Sequence, residues 1–255
     1  MLKEFKKDYL SVRVCEDAES LGRAAAADIS RGIRTALAEK PEIRMIFAAA
    51  PSQNETLAAL RADSSIPWNR IHAFHMDEYV GLSEDAPQGF ANFLKDALFD
   101  RVPFASVNLL RSTAEPGAEC ERYTALLQAA PVDIVVMGIG ENGHIAFNDP
   151  GVADFEDPAL VKVVPLDEVC RMQQVHDGCF PSMDAVPTHA LTLTVPALTR
   201  AAAMFCSVPA ATKAEAVKRT LTEEISENCP ATVMRRHPHA VLYCDRDSGR
   251  DLTTL

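Results

Sequence analysis

One imidazole and three carboxylates in this chain stand at spacings suited to moving protons. His144 lies in the run Gly138-Ile139-Gly140-Glu141-Asn142-Gly143-His144-Ile145-Ala146-Phe147-Asn148-Asp149-Pro150, with Asp149 five residues beyond it. Gly138, Gly140 and Gly143 let such a backbone turn tightly and approach a ligand without side-chain obstruction. Imidazole titrates near neutrality, so a histidine beside an acid in a bare loop is equipment for general acid–base catalysis. The other two carboxylates are adjacent, in Phe74-His75-Met76-Asp77-Glu78-Tyr79-Val80-Gly81-Leu82. If both faced one site, repulsion from Glu78 would raise the pKa of Asp77. Strand alternation instead places neighbours on opposite faces, which makes Glu78 structural. His72, His75 and Asp77 also invite a metal reading. Period-2 alternation puts His75 and Asp77 on one face and His72 on the other, so no metal is expected.

Both runs follow strand signals. Asp133 to Met137 and Ile71 to Phe74 are short apolar stretches of the kind buried in parallel sheets. In an open α/β sheet, ligands bind in the loops leaving the carboxyl ends of such strands. Further strand signals fall at Ser11 to Cys15, Met45 to Ala49, Ala190 to Val195, Ala203 to Val208 and Ala240 to Cys244. Helical signals lie between most of them. Leu21, Ala25, Ile29, Ile33 and Leu37 form one apolar face, and Ser52 to Ala62, Ala118 to Gln128 and Thr212 to Leu221 also read as helices. Alternation of this kind implies an α/β fold: a doubly wound, mostly parallel, Rossmann-like sheet with helices on both faces, in a single domain over residues 1–255. Residues 151–187 form the one irregular region and are expected to hold loop excursions near the site.

The two chemistry-bearing runs resemble the hallmarks of the glucosamine-6-phosphate deaminase (isomerase) family, in its order and spacing. Those hallmarks read close to MDEYVGL and to GHIAFN followed by Glu or Asp and Pro. The resemblance extends over most of the chain, roughly Cys15 to Asp245. It implies conversion of a 2-amino-2-deoxyhexose 6-phosphate to fructose 6-phosphate and ammonia, without metal or organic cofactor. In that chemistry Asp77 matches the base that carries a proton between C2 and C1. His144 matches the ring-opening histidine. Asp149 stands where the family usually has Glu and would orient His144, on an arm one methylene shorter. Asn142 occupies a position held by Asp or Asn, with a direct role and a loop-stabilising role both open. Gly140 and Gly143 belong to the substrate-facing loop.

The expected phosphate site departs from the family pattern. Relatives use a Gly-rich loop resembling SGGTP; here the chain reads Ala48-Ala49-Ala50-Pro51-Ser52-Gln53-Asn54-Glu55. Ser52 and Glu55 have capping-box spacing, and a helix N-terminus still suits an anion. Ser52 is therefore one candidate phosphate ligand. Lys213, after a Thr212/Glu215 cap, matches a family lysine. A lysine in a first helical turn opposes the dipole unless an anion sits there. The family arginine has no clear counterpart: the natural register puts Gly178 at its position, and Arg171 is the candidate substitute.

A formal charge of −11 over 255 residues argues against nucleic acid or anionic membrane as partners. A charged N-terminus, no apolar run long enough to span a bilayer, and seven scattered cysteines without a CxxC pair point to a cytoplasmic protein. The expected partner is a small sugar phosphate, with homo-oligomerisation left open. Galactosamine 6-phosphate is the nearest alternative substrate. A 6-phosphogluconolactonase-like hydrolase and a non-catalytic sugar-phosphate sensor are the rival readings.

Overall fold

The computed structural model describes residues 1–176 and 178–254. The chain opens with a hairpin, β1 (Lys3–Lys7) and β2 (Leu10–Val14), then α1 (Ala18–Glu39) and β3 (Ile43–Phe47). A 3₁₀ turn, Pro51–Gln53, leads into α2 (Asn54–Ala62) and β4 (Ile71–His75). Next come β5 (Asp77–Tyr79), α3 (Phe90–Leu94, continued as a π turn to Phe99), β6 (Ser106–Asn108), α4 (Pro116–Gln128) and β7 (Ile134–Met137). The second half holds β8 (Val161–Pro165), α5 (Glu168–His176), β9 (His189–Leu193) and α6 (Val195–Thr199). It closes with β10 (Ala203–Val208), α7 (Ala214–Thr222) and β11 (Ala240–Cys244).

Eight strands form the main sheet in the order β1-β2-β11-β10-β7-β3-β4-β6. Only the β1–β2 pair is antiparallel. Successive side chains of the central strands enter two separate cores, one on each face. Val135 and Met137 pack with Met204 and Cys206 on one side, while Ile134 and Val136 pack with Phe47 and Phe205 on the other. This is the period-2 alternation of a strand buried on both faces, and it explains why these segments read as unbroken apolar runs. Each such side chain taken fully from water contributes about 1.5–3 kcal/mol. The expected mostly parallel, doubly wound α/β sheet is what the chain forms.

From β3 the chain winds outward through β4 and β6; from β7 it winds the other way through β10 and β11. The order reverses between β3 and β7. Loops leaving these two neighbours diverge and open a crevice, the usual ligand position in such sheets.

A second, three-stranded antiparallel sheet, β5-β9-β8, stands beside the main one and brings Asp77 of β5 to the cavity. Two expectations change here. The segment read as Ala190 to Val195 is not another parallel strand but β9, in the centre of this small sheet. The region 151–187 is not simply irregular, since it contains β8 and α5. Met45 to Ala49 is corrected to β3 over Ile43–Phe47, because Ala48 and Ala49 already belong to the loop. Among the described residues, no helix is long and apolar enough to cross a membrane.

Candidate active site

The loop after β7 is shaped around His144. Gly140 donates its N–H to the carbonyl of His144 (2.9 Å), and Gly143 donates to the carbonyl of Gly140 (3.0 Å). A Cβ on Gly140 would lie inside the van der Waals envelope of the His144 ring, so only glycine permits the imidazole this position. Gly143 has φ +86°, and a Cβ there would also meet Cys229 Sγ at 2.6 Å. The far end of the loop is tied to β9: Asn148 Nδ2 donates to the carbonyls of Ile145 (2.9 Å) and Leu193 (2.8 Å). Phe147 N donates to Thr192 Oγ1 (3.1 Å).

Asp149 is fully buried behind His144, with Nδ1 of the imidazole 2.9 Å from its Oδ1. That approach is close but off the line of an aligned N–H···O bond, for Nδ1 has no hydrogen-bond partner by geometry. Asn142 couples the two residues. Its Nδ2 donates to Asp149 Oδ1 (2.9 Å) and its Oδ1 accepts from the His144 backbone N–H (3.0 Å). Burial pushes the Asp149 carboxyl up, yet His144, Asn142 and Cys170 together outweigh it and the net shift is down. The shorter aspartate arm therefore reaches the imidazole directly.

Asp77 approaches from the other side. The chain leaves the main sheet at the end of β4, bends at Met76 and enters the small sheet as β5. Asp77 is 7% exposed, and burial, then the charge of Glu78, raise its pKa well above the ordinary carboxylate value. Glu78 points the opposite way and accepts the backbone N–H groups of Tyr79, Phe90 and Ala91 at 2.8–3.1 Å, capping α3. The change of sheet also corrects the expected shared face of His75 and Asp77. His75 is turned into the protein, where its Nε2 accepts from Leu110 N (2.7 Å) and burial pushes its pKa down to about 3. His72 lies at the surface beside Glu42 and Ser106.

Asp77, His144, Gly140, Ser52 and Lys213 line one cavity of about 860 Å³. Asp149, Asn142 and Gly143 stand behind its wall. Arg171 is not brought to it. On α5 the guanidinium turns away and donates Nη2 to the carbonyls of Met183 (2.7 Å) and Val186 (3.0 Å), bracing the turn beyond. Gly178, with φ +74°, does line the cavity, with open space where a side chain would be.

The two expected capping boxes are absent. Helix α2 starts at Asn54, after the 3₁₀ turn, and neither Ser52 nor Thr212 makes a side-chain cap to the helix that follows it. Pro51 supplies no N–H, and that of Gln53 is donated to the Ala50 carbonyl (2.9 Å). The helix start thus offers few amides to an anion. Lys213 is the one Lys or Arg among the described residues lining the cavity, against Glu16, Asp17, Asp77, Asp245 and Asp247.

Several lining residues were not anticipated. Gln53 is fully buried and donates Nε2 to Ser207 O (3.2 Å) and Ser52 Oγ (3.1 Å). Gln173 and Gln174, on α5, hold the Glu141 N–H (2.9 Å) and the Tyr79 hydroxyl (2.8 Å). Uncharged amides without a motif carry no sequence signal of their own. Only the helical register of α5 would have placed adjacent Gln173 and Gln174 at the crevice.

The sequence model of the family described as glucosamine-6-phosphate isomerases/6-phosphogluconolactonase matches residues 16–243. A glucosamine-6-phosphate deaminase of Bacillus cereus (strain B4264) is 33% identical over 240 residues, covering 94% of this chain and 88% of its own. One from Bacillus thuringiensis (strain Al Hakam) is 32% identical over the same span. Among solved structures, a monomeric glucosamine-6-phosphate deaminase superposes with a TM-score of 0.85 at 30% identity, covering 94% of this chain and 98% of the other. A 6-phosphogluconolactonase from Thermotoga maritima superposes at 0.74 with 20% identity, over 92% and 99%, a likeness of fold alone.

Proposed function

The chain belongs to the glucosamine-6-phosphate isomerase and 6-phosphogluconolactonase family of enzymes, and from that premise we propose that it isomerises and deaminates a 2-amino-2-deoxyhexose 6-phosphate. Glucosamine 6-phosphate is the first substrate to test, with galactosamine 6-phosphate the nearest alternative. The observation that carries the reading is that Asp77 and His144 line one cavity, His144 backed by Asp149 and Asn142, which the cavity does not reach.

In this reading His144 takes the proton of the C1 hydroxyl and returns one to the ring oxygen, opening the sugar. Asp149 and Asn142 hold the imidazole at that task. Asp77, as carboxylate, removes the C2 proton and delivers it to C1, while a proton of the C2 ammonium passes to O1. The imine left at C2 adds water and releases ammonia. Asp77 suits the role because burial raises its basicity, and a base is most effective when its pKa approaches the working pH. Lys213 is the cation for the distal phosphate, and Ser52, which lines the same cavity, is a second candidate ligand.

Ammonia release from the two amino-sugar phosphates, measured side by side, tests the proposal. Turnover of either, lost in Asp77→Asn, supports it. Hydrolysis of 6-phosphogluconolactone without ammonia from either amino sugar would replace it with the lactonase reading. Substrate-induced thermal stabilisation without product would favour the sensor. A monomer is the simplest assembly, as for the solved deaminase described as monomeric.

A further inference from the structure

Behind the proposed catalytic pair lies a side chain the reaction does not use. Cys170, in the first turn of α5, is 1% exposed. One ligand atom from each of His144, Asp149 and Cys170 lies within 4.8 Å of the other two, the one such cluster among the described residues. Two polar atoms of the cluster, His144 Nδ1 and Asp149 Oδ2, are shut off from solvent without an aligned hydrogen-bond partner. Buried polar groups left so carry a desolvation cost. A single cation between them, accepting lone pairs from nitrogen, oxygen and sulfur together, would satisfy both.

We propose that His144, Asp149 and Cys170 form an inhibitory site for a thiophilic divalent cation, best matched by zinc. The donor set supports that ion: thiolate, imidazole and carboxylate are its three protein ligand types. On binding, the Cys170 thiol releases its proton to solvent and bonds through sulfur. His144 donates the Nδ1 lone pair and keeps its proton on Nε2. Asp149 binds as the carboxylate, so the two negative charges offset the metal's two positive ones and the buried complex is neutral. Bonds of about 2.0–2.3 Å place tetrahedral donor atoms about 3.5 Å apart, so the His144–Asp149 contact opens slightly while the thiol closes in. A water carried in with the ion takes the fourth position.

The effect on turnover rests on the proposed reaction; the binding does not. Metal on Nδ1 fixes the ring tautomer and takes Asp149 away from it, so the imidazole can no longer cycle its proton. Zinc therefore acts as a reversible inhibitor and not as a cofactor.

Titrating the reduced, chelator-treated protein with cobalt(II) reads the site without any substrate. One equivalent is expected to give a thiolate-to-cobalt charge-transfer band in the near ultraviolet and the intense visible bands of a tetrahedral site, both displaced by zinc. Cys170→Ala, or Cys170→Ser should the alanine variant not fold, loses the charge-transfer band. Cys179→Ser, altering the thiol that lines the cavity, keeps it. In activity assays, zinc inhibition reversed by EDTA is expected to need at least tenfold more zinc in the Cys170 variant. A cobalt spectrum without charge transfer, or one that survives loss of Cys170 unchanged, overturns the site. If no amino sugar releases ammonia, the proposed reaction fails, while the cobalt spectrum still decides the metal site.

Discussion

The two ends of the cavity are built on different principles. At the proposed proton-transfer end the imidazole is held by further groups: His144 by Asp149 and Gly140, and Asp149 by Asn142, while Asp77 is buried where the chain bends at Met76. At the distal end the corresponding features are thin. In the Ala48–Gln53 loop Pro51 has no N–H, Gln53 donates within the loop and Ala48 to β7; Arg171 braces another turn, and Lys213 is the one lining Lys or Arg among the described residues. Chemistry that depends on sub-ångström placement tolerates little change, whereas an anion can be held by several arrangements of charge and dipole. Reaction geometry therefore constrains one part of the family pattern, while the anion-holding part can be rebuilt.

Removing the base should separate the two ends most sharply. Asp77→Asn is expected to lower kcat by about 10²–10⁴-fold, with KM changed less than about threefold. The same variant should be more stable than the wild type near neutral pH. The Asp77 pKa is raised in the folded state, so the protein's stability falls as pH rises from the ordinary carboxylate value through the folded one. Asparagine removes that cost, and the melting-temperature gain should vanish below about pH 4, where the unfolded carboxyl is also protonated. Thermal melts at pH 7.5 and pH 3.5 check it; no gain at the higher pH would refute the buried-charge reading.

Gly140→Ala comes next in size. The added methyl must displace the His144 imidazole, and a shift of about 1 Å in a catalytic group can cost about 10²-fold. The loss should fall on kcat, with near-native binding at the distal end. At that end Lys213→Met should do the reverse, raising KM for a 6-phosphate by roughly tenfold, as for a lost charge-assisted hydrogen bond, with kcat nearly kept. Isothermal titration with a 6-phosphate substrate analogue would separate them. Equal losses of affinity in both variants would mean that the cavity is one cooperative unit.

How much of this was legible in the sequence follows the same division. His144, Asp77 and the parallel strands β4 and β7 could be read because motif and apolar run coincide at a strand's carboxyl end. Where Asp77 and Glu78 point could be half-read: alternation separates them correctly, but not His75 from Asp77, because no local signal announces that the chain changes sheet at Met76. The small sheet itself was hidden. Its strand β5 has three residues, β8 is an edge strand interrupted by Lys162 and ending on Pro165, and β9 differs from a parallel strand only in its partners. Arg171 was misjudged for a related reason. A helix position fixes which way a residue faces only when the neighbouring turn is known, and Met183 and Val186 supply carbonyls that capture its guanidinium. Residues that act by bracing, such as Gln53 and Asn148, carry no charge pattern to betray them.

The smallest expected effect tests whether the proton-transfer end is braced electrically as well as sterically. As a base, Asp77 works only when ionised, so kcat/KM should rise with pH through a value above the usual carboxylate range. Burial is the larger cause of that elevation and Glu78 the second. Glu78→Gln removes the repulsion but leaves the burial, so the acidic limb of the pH profile should move to lower pH without reaching the ordinary range. The glutamine carbonyl can still accept from the start of α3, but the amide cannot serve as both carboxylate oxygens do, so a stability loss of about 1–2 kcal/mol should accompany the shift. A purely steric brace would lose the stability and leave the limb in place. A limb that moves to higher pH would refute repulsion of Asp77 by the Glu78 charge.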